Sequence, residues 1–266
     1  MSEAGKTVTS PANVTVKKLR SLGLKKYRDK EGLFLVEGLR HISDALHAEG
    51  WHLATLAYSE RAKNDPLAQK AMAACAEAHG LCLEVTEALL QRITGRDNAQ
   101  SVVGAFRHRW HELKDVKEGL WVGLEGIRDP GNLGTVIRTL DAVGGAGIVL
   151  IGDTCDPWSP EAVRATMGSF ARVHIARATQ GEFLQWRQGF EGRVIGTHLK
   201  TDTDYRQADY AAPLLLLMGS EGAGLSAELA QVCDSLVKIP MAGGAESLNL
   251  AVSSGIMLYE AMRKKL

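Results

Sequence analysis

The sequence predicts an α/β protein in two parts, the second built on a parallel sheet covered on both faces. Three observations carry this. Strand-like and helix-like pieces alternate along all 266 residues, the pattern of sheets layered with helices. Several strand candidates in the second half are continuous apolar runs, as expected of strands with no solvent-facing side. A polar, charged stretch at 107–119 divides the halves. Composition agrees, since 45% apolar and 23% charged residues supply a core and exclude a disordered tail, a collagen-like rod or a coiled coil.

In chain order, the first part offers strands at 33–36, 53–58, 81–85 and 101–106, rich in β-branched and aromatic residues. Amphipathic stretches at 39–48 and 67–79 read as helices between them. A linker is expected at 109–119, leaving 1–108 as one domain and 120–266 as the other. The second part offers strands at 120–124, 148–151, 173–175, 194–197, 214–218 and 236–239. Helices begin near Leu133, Pro160, Gly181, Ser226 and Ser247. Ligands of such sheets bind in loops beyond the carboxyl ends of strands, which directs attention to those loops.

Charge gives no global hint, because 31 basic residues balance 31 acidic ones. Locally, 1–40 holds nine Lys/Arg, among them Lys17, Lys18, Arg20, Lys25, Lys26 and Arg28, against four acids. That excess is either a phosphate-binding patch or a solvated helix face. Apolar runs such as 214–218 are far too short to cross a bilayer. Residues 1–6 lack the apolar core of a secretory signal, so a cytoplasmic protein is expected, with no membrane partner. Cys75, Cys82, Cys155 and Cys233 are scattered and read as reduced thiols; with no ligand cluster among eight histidines, no metal is expected.

Three loops break the ordinary pattern. The first, 125–134, contains Asp129-Pro130-Gly131-Asn132, a turn sequence because Pro fixes φ and Gly or Asn accepts positive φ. In the helix after it, Leu133, Val136, Ile137, Leu140 and Val143 form an apolar stripe, with Arg138 on the opposite side. Taken alone, this is equally a helix start with a surface arginine. The second loop, Gly219-Ser220-Glu221-Gly222-Ala223-Gly224, places a carboxylate among glycines that let backbone approach a ligand. A glycine-softened turn is the plain alternative. The loop is not G-x-G-x-x-G and no P-loop occurs, which weakens a nucleotide-dependent oxidoreductase. The third loop, 240–249, ends in Ser247-Leu248-Asn249. Ser247 suits an N-cap, whereas Asn249 sits poorly in a first helical turn. The last helix is expected to bury Leu248, Ala251, Val252, Gly255, Leu258, Tyr259 and Met262.

As a set, in this order and spacing, the loops resemble the three motifs of the SpoU/TrmH branch of SPOUT RNA methyltransferases. Asp129-Pro130-Gly131-Asn132-Leu133-Gly134 with Arg138 matches the first, and Gly219-Ser220-Glu221-Gly222-Ala223-Gly224-Leu225 the second. Ile239-Pro240-Met241 with Glu246-Ser247-Leu248-Asn249 matches the third. Asp156-Pro157-Trp158-Ser159-Pro160 with Arg164 and Gly168 is similar to a segment between the first two motifs. The first part is similar, around Phe34-Leu35-Val36-Glu37-Gly38, to the L30-like substrate-binding domain of many members. One departure is that no proline follows Asn98-Ala99-Gln100, where members often carry one.

The resemblance implies a parallel-sheet SPOUT domain whose C-terminal segment threads a trefoil knot, an exception to the rule against threading. It implies S-adenosylmethionine (SAM) contacted at Gly219, Ile239, Leu248 and Thr197, with a homodimer as the working form. It also implies methyl transfer to a ribose 2′-hydroxyl, with ribosomal RNA placed ahead of transfer RNA. Arg138, Asn132, Glu221, Ser247 and Asn249 are then the catalytic set, with Arg138 as the family's candidate base. A guanidinium keeps its proton in nearly all protein sites. The expectation adopted for Arg138 is therefore that it positions phosphate and ribose and stabilises the oxyanion. Asn132 is expected to orient Arg138 or the ribose, and the basic N-terminal patch to contact phosphates. A non-catalytic knotted RNA-binding or ribosome-assembly protein is the competing reading.

Overall fold

The computed structural model describes residues 7–266, so residues 1–6, on which the signal-sequence expectation rests, lie outside it. Among the described residues there are ten strands and ten α-helices. The chain forms two compact units. One runs up to Arg109 and takes in Asp156–Ala171; the other is Trp110–Cys155 with Arg172–Leu266.

In the first unit the elements are α1 (Val14–Ser21), α2 (Lys25–Glu31), β1 (Leu33–Glu37), α3 (Leu39–His47), β2 (Leu53–Tyr58), α4 (Pro66–Glu77), β3 (Leu81–Glu84), α5 (Glu87–Thr94) and β4 (Val102–Arg107). The sheet order is β1-β4-β2-β3. β4 is antiparallel to β1 and β2, and β2 is parallel to β3, so β1, β2 and β3 share one direction. Alternation then sorts the side chains. Leu33 and Leu35 of β1 and Val103 and Ala105 of β4 pack with Val16 and Leu19 of α1 and Leu89, Leu90 and Ile93 of α5. Phe34 points the other way, into an aromatic cluster with Trp158 (ring centroids 4.7 Å), Phe170 (5.6 Å) and Trp51 (5.8 Å).

Two of those rings come from 156–171, a segment the sequence places in the second part. Burial explains the difference: Trp158 and Phe170 are each 1% exposed, and both complete this aromatic core. The Arg28 guanidinium fixes the same segment, with Nη2 2.7 Å and Nε 2.8 Å from Asp156 Oδ2. Arg28 also donates to the carbonyls of Leu22 and Gly23.

The second unit contains β5 (Leu120–Glu125), α6 (Pro130–Ala142), β6 (Gly147–Ile151), β7 (His174–Ala178), α8 (Gln180–Arg187), β8 (Arg193–Thr197), β9 (Leu214–Met218), α9 (Ala227–Gln231), β10 (Ser235–Val237) and α10 (Leu250–Met262). The short α7 (Pro160–Ala165) lies in the first unit's segment. The sheet is parallel throughout, in the order β10-β8-β9-β5-β6-β7. One face carries Trp121, Val149, Ile151, Val194, Leu215 and Leu217 against Phe183 of α8 and Leu229 of α9. On α6, the stripe Leu133, Val136, Ile137 and Leu140 is fully buried; α6 packs on α10, and α10 on β9. Each such side chain contributes about 1.5–3 kcal/mol by leaving water. The expected linker is itself packed: the His111 N–H donates to Ile175 O (2.8 Å), and Val116 is 1% exposed in this core. No helix among the described residues is long and apolar enough to cross a membrane.

Candidate active site

The order of the second sheet reverses at β5, whose neighbours are β6 on one side and β9 on the other. Such a switch point opens a crevice between the loops leaving the two central strands. Here those loops are 126–129, after β5, and 219–226, after β9.

The first loop ends in a helix start written into the sequence. Asp129 is the N-cap of α6, its Oδ1 accepting the Asn132 N–H at 2.6 Å, and Pro130 opens the first turn, where its missing N–H costs nothing. The run expected as a turn is thus the first turn of the helix. Asn132 is thereby fixed at the crevice. Its Nδ2 donates to Glu221 Oε1, and its Oδ1 accepts from Asn249 Nδ2 at 3.1 Å. One side chain therefore ties together all three loops that the sequence singles out.

The second loop is shaped by glycines. A Cβ on Gly219 would overlap the backbone of Gly224 and Leu225, and Ser220 and Gly224 exchange backbone hydrogen bonds of 3.0 Å. Gly222 and Gly224 hold φ of 93° and 72°, conformations that a side chain disfavours. The far end is anchored by Glu125, at the carboxyl end of β5, whose Oε2 accepts the Ser226 N–H at 2.8 Å. The sequence places Asp129 only in a turn and in the first motif, without a capping role, and assigns Glu125 no role. An acid before Pro at a helix start is a readable cap; the Glu125 contact spans 101 positions and leaves no local signal.

The third loop corrects an expectation. Asn249, not Ser247, is the N-cap of α10, its Oδ1 accepting from the N–H groups of Ala251 (2.9 Å) and Val252 (3.3 Å). The asparagine disfavoured inside a first turn stands just before it, where its short side chain is an asset. Ser247 lies exposed two residues upstream. The last helix also departs from the expected burial: Val252 is 53% and Tyr259 54% exposed, Leu248 before it is 37% exposed, and Leu250, Ser254 and Met257 are buried instead. Val252, Ile256 and Tyr259 line an apolar groove of about 600 Å³ with Asn132 and Thr135 of α6.

Arg138 lies exposed on α6, with no hydrogen-bond or ion-pair partner among the described residues. Six residues put it about 9 Å along the helix from Asn132. Asn132 spends its amide on Glu221 and Asn249, so it does not orient Arg138 in this structure. Thr197, Gly219 and Ile239 stand at or just past the carboxyl ends of adjacent strands β8, β9 and β10. Among the described residues, no backbone N–H from Ile239 to Leu248 donates to another residue. Residues 242–249 are exposed. Free backbone donors of this kind suit the acceptor atoms of SAM, its ring nitrogens and carboxylate. No group of three or more His, Cys, Asp or Glu among the described residues is arranged to hold a metal.

The basic N-terminal residues separate. Lys17, Lys18, Arg20, Lys25 and Lys26 are exposed on α1 and α2, with Lys18 paired to Glu31 at 2.7 Å. Arg28 does not belong with them: it is 3% exposed and committed to Asp156 and two carbonyls, so it cannot meet a phosphate.

Comparison with known proteins agrees with this architecture. Residues 119–259 match the SpoU rRNA Methylase family, and residues 13–104 an MRM3-like substrate binding domain. The 23S rRNA (uridine(2479)-2'-O)-methyltransferase of Streptomyces viridochromogenes is 31% identical over 92% of this chain and 88% of its own. The 23S rRNA (guanosine(2553)-2'-O)-methyltransferase RlmP of Bacillus subtilis is 29% identical over 96% of this chain and 98% of its own. A crystal structure of an AdoMet-bound rRNA methyltransferase from Sinorhizobium meliloti superposes with a TM-score of 0.92 at 47% identity, covering 98% of each chain. From matched sequence and matched fold alike, this chain belongs to the SpoU rRNA methylase family.

Proposed function

We propose that this protein transfers the methyl group of SAM to a ribose 2′-hydroxyl of 23S ribosomal RNA. The observation that carries the reading is the Glu221–Asn132–Asn249 relay, which ties three loops at a parallel-sheet switch point. When bound, SAM supplies an electrophilic methyl on a sulfonium. The protein's task is alignment and exclusion of water. In this reading the backbone at Gly219 and Ile239, with Thr197 and Leu248, holds the donor. Glu221, Asn132, Ser247 and Asn249 hold the target ribose and its neighbouring loop.

An alcohol is a poor nucleophile at neutral pH, so its proton must leave and the oxyanion must be stabilised. Arg138, charged and exposed, binds the phosphate beside the target and stabilises the developing oxygen charge; the proton leaves through phosphate or water. Its lack of a partner among the described residues supports this role. The first unit, residues 1–108 in the sequence division, binds RNA, with Lys17, Lys18, Arg20, Lys25 and Lys26 on phosphates. The knotted path of the C-terminal segment belongs to the same reading, as does a homodimer. The exposed Val252 and Tyr259 stripe supports the homodimer, because a second copy would cover it.

Tritiated SAM incubated with ribosomal RNA from a deletion strain tests the reading. Incorporation by the native protein and none by Arg138→Ala is expected. No incorporation by either protein overturns it, and incorporation into transfer RNA alone moves the substrate.

A further inference from the structure

The first unit holds a polar cleft of about 580 Å³. It is built where ligands of such sheets bind: β1, β2 and β3 run in one direction, and the cleft lies past their carboxyl ends. Arg61 follows β2, and Asp97, Asn98, Gln100 and Ser101 approach β4. The approaching loop is pinned from below. Glu37, at the carboxyl end of β1 and 9% exposed, accepts the Gln100 N–H at Oε1 (2.9 Å) and pairs with Arg96 through Oε2 (3.4 Å). A buried carboxylate spent on one loop fixes that loop's geometry before any ligand arrives.

The lining selects the ligand class. Arg61 is neutralised at the rim by an ion pair with Glu87, and Asp97 adds a further negative charge, so a bare phosphate is disfavoured. The amides of Asn98 and Gln100 each offer a donor and an acceptor, and Asp97 accepts only. That mixture complements the edge of a nucleobase, which presents amino donors beside carbonyl and ring-nitrogen acceptors. RNA is read at unstacked bases of this kind. Resting on the proposed reaction, we infer that this cleft takes one unpaired nucleobase of the RNA substrate. The enzyme thus grips its target at a base in the first unit and at a ribose in the second.

Steady-state methylation of ribosomal RNA by the full chain tests this with Asn98→Ala/Gln100→Ala and, separately, Asp97→Ala. KM for RNA should rise tenfold or more, with kcat and SAM affinity within twofold of native. The salt dependence of binding should keep its slope, because a base contact releases no counterions. KM within twofold of native overturns the assignment, as does a flattened salt slope, which would mark phosphate contacts. Should the double variant lose SAM binding through misfolding, the exposed single change Asn98→Asp reads the same KM. If the native protein transfers no methyl to ribosomal RNA, the reaction itself fails. The cleft is then judged by filter binding of that RNA to the same variants, where a tenfold loss supports it and none removes it.

Discussion

Asn249 Nδ2 lies 3.1 Å from Asn132 Oδ1, joining residues 117 positions apart. The same Asn249 side chain caps α10 through its oxygen while its nitrogen reaches Asn132. The two atoms of one amide therefore perform separable tasks. Asn249→Asp keeps the capping oxygen and loses the donor to Asn132. Thermal stability close to native with methyl transfer reduced at least tenfold is expected. Asn249→Ala loses both, and unfolding experiments should register a further cost of about 1 kcal/mol for the missing cap.

Arg138→Lys preserves charge but not the planar fork. Calorimetric SAM binding should match the native protein while methyl transfer falls by two orders of magnitude or more. Turnover near the native rate would remove Arg138 from the reaction.

Gly219→Ala places a Cβ against the Gly224 and Leu225 backbone. Since backbone cannot step aside as a flexible side chain can, the whole 219–225 loop must shift. Loss of SAM binding is the expected result, read by calorimetry, with RNA binding by the first unit retained.

Arg28 and the surface lysines should part company in experiment. Arg28→Ala leaves the Asp156 carboxylate, 9% exposed at its side chain, without its ion partner. Breaking such a buried pair costs about 3–5 kcal/mol, visible in urea unfolding. Lys25→Ala/Lys26→Ala should leave stability within about 0.5 kcal/mol and weaken RNA binding with a shallower salt slope.

His108 sets a pH dependence in the first unit. Burial holds its imidazole below the usual value, against an opposing pull from Asp156. Its Nε2 is buried without a hydrogen-bond partner among the described residues. The unfolded chain takes up a proton near pH 6.5, while the folded one does so only at lower pH. Stability is therefore full above about pH 6.5 and falls as pH drops towards the folded value. Urea midpoints at pH 5 and pH 7.5 should show the loss, and His108→Phe should reduce it.

Most of the strand pattern was readable because fully buried strands announce themselves as apolar runs: Leu214–Met218 and Gly147–Ile151 are buried at every position. The α6 stripe was readable for the same reason at helical spacing. What escaped depends on partners distant in sequence. Arg28 looks like any cation in a basic stretch until Asp156, 128 positions away, is brought to it. Trp158 and Phe170 carry no mark of which unit they complete. Val252 and Tyr259 fit an apolar stripe, yet α6 covers only the neighbouring face of α10. Of the candidate site, residue types and order were legible. The relay was not, because hydrogen bonds between Asn132, Glu221 and Asn249 exist only once the loops meet.

Glu221 and Asn132 are synthesised well before Asn249, and only Asn249 closes the relay and starts α10. A chain cut just before Asn249 would keep Asn132, Arg138 and Glu221 yet leave the Asn132 carboxamide oxygen without this donor, and on the proposed reaction it is expected to transfer no methyl group. The junction of the three loops and the start of α10 thus stand or fall together, because both hang on one asparagine.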